Sequence, residues 1–268
     1  MSDALPVTTD KMLSEKRDGI GIMTFNNPER HNAVSMEMWE AAERILADFA
    51  ADDAVRVVVI TGAGGKAFVS GADISKFESE RSSADAVAAY NAQTAKVYDG
   101  LYRFAKPTIA MVRGHCIGGG TALAVCCDLR IANDTASFGI PAAKLGLGYG
   151  ITGIERLVHL VGPAFAKEMF FTGRRFTAQE AHGFGLVNRV VPTEALEATV
   201  MELAATIGAN APLTVKSTKF NINEAVKAAA DRDTATAEAM VAACFASEDY
   251  IEGRRAFLEK RPPQFKGR

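Results

Sequence analysis

Residues 114 to 122 read Gly-His-Cys-Ile-Gly-Gly-Gly-Thr-Ala, and the glycine triplet Gly118-Gly119-Gly120 opens an apolar run, Thr121 to Cys127, with a helical look. A glycine turn entering a helix bares backbone N–H groups at the end where partial positive charge collects. Such a turn suits an oxyanion. A pocket that forms an oxyanion ordinarily needs an acid or base beside it, yet the next positions offer Thr121 and Ala122. The motif holds the electrostatic half of an active site and lacks the usual proton carrier. On its own it fits equally well with close helix–strand packing, where glycine serves only to let two backbones approach.

Composition excludes several other chemistries. With 48% apolar and 23% charged residues over 268 positions, the chain has the makings of a sizeable globular core, as one large domain or a domain with a tail. A net charge of −2 and a pI near 6.1 leave no electrostatic footprint for nucleic acid. No apolar run reaches the roughly 18 residues of a membrane span. Met1 to Lys11 is polar and lacks the apolar core of a signal peptide. The cysteines are Cys116, Cys126, Cys127 and Cys244, without CxxC or Cys/His metal spacing. They read as buried free thiols, and the chain as cytoplasmic.

The elements that must position the triplet alternate in type. Ile20 to Phe25 is a short apolar strand ended by Asn26-Asn27-Pro28. Ser35 then caps a helix running to Asp52, with Met38, Ala42, Ile45, Leu46 and Phe49 as its apolar stripe. Val55 to Thr61 is almost continuously apolar, as for a strand covered on both faces. Gly62 to Lys66 is a turn, and Ala67-Phe68-Val69 a short extended piece. Residues 75 to 92 are polar and read as a loop with a helix beginning near Ala84. Further strands are expected at Pro107–Val112, at Asp128–Ala132, at Ala136–Pro141 on a sheet edge, and at Leu186–Val191. Gly146 to Gly153 reads as a loop. Helices are expected at about Gly153–Leu160 and Ala164–Phe171, from Ala178, and over most of the chain after Thr193. The order argues for an α/β fold with a helical C-terminal region. Strand-turn-strand-turn-helix recurs around 57–90 and 109–127, which hints at a ββα repeat.

Six segments then stand in a recognisable order. Asn27-Pro28-Glu29-Arg30-His31-Asn32-Ala33 is the first, Phe68-Val69-Ser70-Gly71-Ala72-Asp73-Ile74 the second and Gly114 to Gly120 the third. Thr172-Gly173-Arg174 with Thr177 to Ala181 follows, then Gly185-Leu186-Val187-Asn188, and finally Glu252 to Arg261. In these the chain resembles the crotonase family, the enoyl-CoA hydratase/isomerase superfamily, from about Met12 to Arg268. The resemblance implies a spiral of ββα turns over residues 1–195 and a helical trimerisation region over 196–268. It implies an acyl-CoA thioester as ligand, and a homotrimer or dimer of trimers. Coenzyme A would be part of the substrate, with no separate cofactor or metal. The resemblance also implies an oxyanion hole from the backbone N–H groups of Ala72 and Gly119. Ala33, Asp73 and Ile74 would join them in lining the thioester and coenzyme A. Asp73 could equally only cap a tight turn. Arg30, with Lys260 or Arg261, could meet phosphates, as could any basic helix end. Phe257 could pack on the adenine or in the core.

The departures from the family pattern are specific. In the hydratases of this family two glutamates hold the water and pass its protons, and the corresponding positions here are Ala122 and Ala142. Alanine neither takes nor gives a proton. Position 149, often proline in the family, is Tyr149, which resembles the methylmalonyl-CoA decarboxylase branch. That branch has a histidine where this chain has Ala72. Loss of CO₂ makes an enolate without removing a proton, so decarboxylation fits a site without bases. Tyr149 is the leading candidate for a functional side chain, able to orient a carboxylate or donate a proton, or else a plain aromatic plug. Glu155 could be a displaced acid or base, or could simply favour the helix dipole. Glu80, Arg81 and Tyr90 fall in the polar stretch that borders the acyl pocket in relatives. His115 and Asp128 read as structural. The expected activity is atypical lyase, decarboxylase or isomerase chemistry on a thioester enolate. The alternatives are a hydratase with a non-standard acid/base and a non-catalytic acyl-CoA-binding subunit.

Overall fold

The computed structural model describes residues 9–76 and 82–268. Two sheets form its frame. The larger has six strands in the order β1-β2-β3-β5-β7-β10, the smaller four in the order β4-β6-β8-β9. β1 (Met12–Arg17) pairs antiparallel with β2 (Ile20–Phe25), and β2 runs parallel to β3 (Val57–Gly62). β5 (Thr108–Val112), β7 (Leu129–Asn133) and β10 (Arg189–Val191) continue the parallel set. The small sheet joins β4 (Ala67–Val69), β6 (His115–Ile117) and β8 (Ser137–Gly139) in parallel, with β9 (Phe176–Thr177) antiparallel at its end.

The chain builds this frame by repetition. β3 and β4 lead to α2 (Ala84–Tyr102), β5 and β6 to α3 (Gly119–Val125), and β7 and β8 to α4 (Ile151–Thr172). Each time the first strand joins the large sheet and the second the small one. These are the turns of the expected ββα spiral. α1 (Met36–Ala51) precedes them and buries Met38, Trp39, Ala42, Ile45 and Phe49 against β2 and α2. The interior of β3, Val57 to Ile60, is fully buried because one face meets this core and the other is covered by α6 (Leu196–Gly208). Leu196, Val200 and Ala204 supply that cover against Ile20, Val57, Val59, Ile109 and Ile131.

α5 (Ala178–Gly183) starts with a capping box. The Glu180 N–H donates to Thr177 Oγ1, and the Thr177 N–H donates to the Glu180 carboxylate. After α6 come α7 (Pro212–Ala225), α8 (Thr234–Phe245) and α9 (Glu248–Glu259). Lys219 of α7 docks this helical region on the spiral by donating to Asp128 Oδ2 at 2.7 Å and to the Lys106 carbonyl at 2.9 Å. The last residues fold back on the spiral at Phe265 and on α9 at Asp249. Arg56 donates to the carbonyls of Gly208 and Phe265, and Asp249 accepts from the N–H groups of Lys266 and Gly267.

Two expectations need correction, and one strand was not expected. Residues Ala136–Pro141 do not form an edge strand, because β8 lies between β6 and β9. Tyr90 is not in the loop but buried in α2, which begins at Ala84 as expected, capped by Ser83 Oγ accepting from the Ala86 N–H at 3.1 Å. Met12–Arg17, unread as a strand, pairs with β2 although its other residues are exposed. The two helices expected on either side of residue 162 are the arms of α4. Gly162 adopts φ 73, ψ 166, and Pro163 follows, so the helical hydrogen-bond ladder stops there. Among the described residues no helix is long and apolar enough to cross a membrane.

Candidate active site

The two amides expected to act together are brought together. An ideal Cβ built on Gly119 would lie 3.5 Å from Gly71 Cα and 3.9 Å from Ala72 N. Each amide follows a glycine in the positive-φ region, Gly71 at φ 104 before Ala72 and Gly118 at φ 56, ψ −115 before Gly119. L-residues avoid these conformations, which turn the following peptide out of the local ladder. The neighbouring groups are anchored instead. Val34 N–H donates to the Gly71 carbonyl at 2.9 Å and Asp73 N–H to the Val34 carbonyl at 3.0 Å, which holds Ala72 between them without using its N–H. Gly118 N–H donates to the Gly139 carbonyl at 2.8 Å, fixing the entry to α3. As the first residue of α3, Gly119 has no carbonyl a turn earlier to donate to. Among the described residues neither the Ala72 nor the Gly119 N–H has an acceptor.

Side chains around the pair lock its position. Asn32, fully buried, accepts from the Asn27 N–H and donates to the carbonyls of Ala63 and Ala67, which ties the first motif to β4. Thr121, also fully buried, donates from Oγ1 to the Cys116 carbonyl at 2.6 Å, with the Gly139 carbonyl at 3.1 Å. Thr121 therefore holds the start of α3 on the small sheet. Asp73 accepts from the Ser75 N–H and hydroxyl at 3.0 and 2.7 Å, a capped turn that fixes the backbone after Ala72.

The remaining expected residues are spread over several elements. Ala33 is nearly buried, and its carbonyl accepts from Asn27 Nδ2. Arg30 is exposed in the turn before it. Ile74 opens a short 3-10 turn. Ala142, at the position of an expected glutamate, is buried in the turn Pro141–Leu145. Phe257 and Lys260 lie at the end of α9, where Phe257 is 84% exposed rather than in the core. Arg261 is taken up by Glu252 and Glu259. Glu80 and Arg81 lie outside the described residues. Glu155 is exposed on the first turns of α4.

Tyr149 sits in the glycine-rich loop before α4, its ring edge-on to Phe170 at 5.0 Å. Burial pushes its phenol above the ordinary value of 10, so it is a donor and not a base at neutral pH. No described hydrogen bond or ring contact joins it to Ala72 or Gly119. Tyr98 of α2 does make that contact: its hydroxyl donates to the Gly119 carbonyl at 3.3 Å. Sequence reasoning passed over Tyr98. Its spacing from Trp39 betrays nothing, since the two rings meet only when α1 and α2 pack, 5.3 Å apart and edge-on.

Other reactive groups are set aside by their surroundings. Desolvation raises the thiol of Cys116 to about 12 and that of Cys126 to about 11, so neither is a nucleophile at neutral pH. His115 accepts or donates at Ser137 Oγ, 2.9 Å away, and burial with the nearby Arg175 and His31 lowers its pKa. Asp128 accepts from the Thr108 N–H and hydroxyl and from Lys219, a structural carboxylate as expected.

Comparison with known proteins shows the family and the fold. The enoyl-CoA hydratase/isomerase family pattern matches residues 15–268. The crotonyl-CoA hydratase of Syntrophomonas wolfei is 36% identical, over 96% of this chain and 98% of its own. The short-chain-enoyl-CoA hydratase of Clostridium acetobutylicum is also 36% identical, over 94% and 96%. The crystal structure of an enoyl-CoA hydratase from Bacillus anthracis superposes with a TM-score of 0.89 at 32% identity, covering 97% of this chain and all of the other. The chain belongs to the enoyl-CoA hydratase/isomerase family, the crotonase superfamily, whose members act on acyl-CoA thioesters.

Proposed function

We propose that the protein binds an acyl-CoA thioester with its carbonyl oxygen between the N–H groups of Ala72 and Gly119, and uses them to stabilise an enolate. The observation that carries this reading is the pairing of two acceptor-free amides, each after a positive-φ glycine, across the space left by the missing Gly119 side chain. Charge moving from the α-carbon onto oxygen meets donors already oriented, and one such donor is typically worth ~10²–10³ in rate.

The chemistry proposed is lyase chemistry, with decarboxylation of a malonyl-type thioester ahead of isomerisation. Alanines at 122 and 142 supply no base, and loss of CO₂ needs none. Tyr149, protonated and partly buried, is proposed to orient the departing carboxylate. Hydration through a non-standard acid/base is the second reading, favoured by relatives named as hydratases. A panel of crotonyl-, β-keto-, malonyl- and methylmalonyl-CoA separates the readings. Turnover of malonyl-type thioesters above crotonyl-CoA is the expected result. Crotonyl-CoA hydration at the rate of a two-glutamate enzyme would overturn it. Binding without turnover of any member would leave an acyl-CoA-binding subunit.

A further inference from the structure

Tyr98 is placed where a reacting acyl group would meet it. A Cβ on Gly119 would stand 3.1 Å from Tyr98 Oη and 3.9 Å from Ala72 N, so the hydroxyl and the Ala72 amide border one small space from two sides. The ring is half-buried and held edge-on by Trp39, whose own Nε1–H donates to Tyr90 Oη at 3.0 Å. The packing of α1 on α2 therefore fixes the ring and leaves the hydroxyl end at Gly119. The hydroxyl donates to the Gly119 carbonyl at 3.3 Å, longer than the 2.7–2.8 Å usual for O–H···O.

We propose that Tyr98 is the proton donor of the reaction, on the reading that the amides of Ala72 and Gly119 hold a thioester enolate. The carbon–carboxylate bond breaks, its electron pair enters the enolate, and the thioester π pair settles on the oxygen between the two amides. CO₂ leaves. The oxygen's pair then restores the carbonyl, and the α-carbon takes the proton from Tyr98 Oη. A thioester enolate is a far stronger base than a phenolate, so the transfer runs downhill. Water returns a proton to the phenolate, and the balance is one solvent proton consumed per CO₂ released. A donor fixed on one side of the space delivers its proton to one face of the α-carbon.

The test is Tyr98→Phe, which removes one oxygen and keeps the ring against Trp39. Both proteins are given methylmalonyl-CoA in D₂O, and CO₂ release and the configuration of deuterium in the propionyl product are followed. The unaltered protein places deuterium on a single face. The variant is expected to lose about 100-fold in kcat, the usual worth of a positioned general acid, with KM within about 3-fold and deuterium on both faces. An unchanged melting temperature and unchanged acetyl-CoA binding show that its fold is intact. Normal rate and single-face labelling in the variant would overturn the role of Tyr98 and leave the enolate reading standing. Failure of the unaltered protein to release CO₂ would overturn the decarboxylase reading, and the proton-donor role with it.

Discussion

Gly120 of α3 lies against the Val69 carbonyl of β4 so closely that a Cβ at 120 would stand 1.9 Å from that oxygen. One residue earlier, a Cβ at Gly119 would meet Tyr98 Oη at 3.1 Å and Gly71 Cα at 3.5 Å. Neighbouring glycines thus do different jobs, one letting helix and strand touch and the other keeping the amide pair open. Gly120→Ala should fail to fold or lose more than about 4 kcal/mol, the range reached when a side chain is forced into a packed backbone. Gly119→Ala should fold with a melting temperature within a few degrees of normal and lose at least 10-fold in turnover. Thermal unfolding beside steady-state rates checks the contrast, and equal instability of the two variants would contradict it.

Tyr149 tests the other end of the proposed reaction. Tyr149→Phe keeps the edge-on contact with Phe170 and removes only the hydroxyl. If that hydroxyl orients a carboxylate, its loss removes a hydrogen bond to a charged group, about 1.5–3 kcal/mol, or roughly 10- to 100-fold in kcat/KM. Malonyl-type thioesters should suffer that loss, while binding of acetyl-CoA should not change. Unchanged turnover of the true substrate would remove Tyr149 from the site.

Acid should loosen the tail from α9. Glu252 accepts from Arg261 at 2.6 and 2.9 Å and from the Gln264 N–H at 2.9 Å, and these bonds lower its pKa from 4.5 to about 2. A carboxyl with a depressed folded pKa contributes stability above its unfolded value and loses it as pH falls. The clamp should therefore be complete above about 4.5 and gone near 2. At neutral pH, Glu252→Gln should imitate the acid state. Hydrogen exchange of the Gln264, Lys266 and Gly267 amides is expected to quicken in the variant, and unaltered protection would show that the clamp does not hold the tail.

The last two helices carry Phe245, Ile251, Phe257 and Leu258, each more than half exposed. Exposed apolar side chains of this size on two consecutive helices point to contact with another molecule. A homotrimer or dimer of trimers should sediment at three or six times 28.5 kDa. Leu258→Glu should shift it toward the single-chain mass, and a monomeric unaltered protein would refute the assembly.

Where the fold was legible, local rules agreed with tertiary packing. β2 was readable at Ile20–Phe25, the break at Gly162-Pro163 separated two helices in advance, and the start of α5 at Ala178 was expected. β1 escaped because five of its six residues are exposed, leaving no apolar period to read. β8 looked like an edge because three residues say nothing of how many neighbours they have. In the site, the pairing of Ala72 with Gly119 came from the family resemblance, while the glycine triplet at 118–120 was legible as a turn that bares N–H groups. Tyr98 was not, because a tyrosine on a helix looks the same whether its hydroxyl meets water or Gly119.

The interruption at Gly162 has a mechanical consequence. The first arm of α4 holds eleven residues, about 16 Å of helix, and Phe170 lies about 12 Å along the second. For Phe170 to touch Tyr149, just before the first arm, the arms must close at an acute angle. The loop carrying Tyr149 is thus braced by a strut whose elbow lies a full helix arm away. Whatever shifts that elbow, a substitution at Gly162 or a neighbour leaning on the exposed Phe165 or Phe171, would move Tyr149 without touching it.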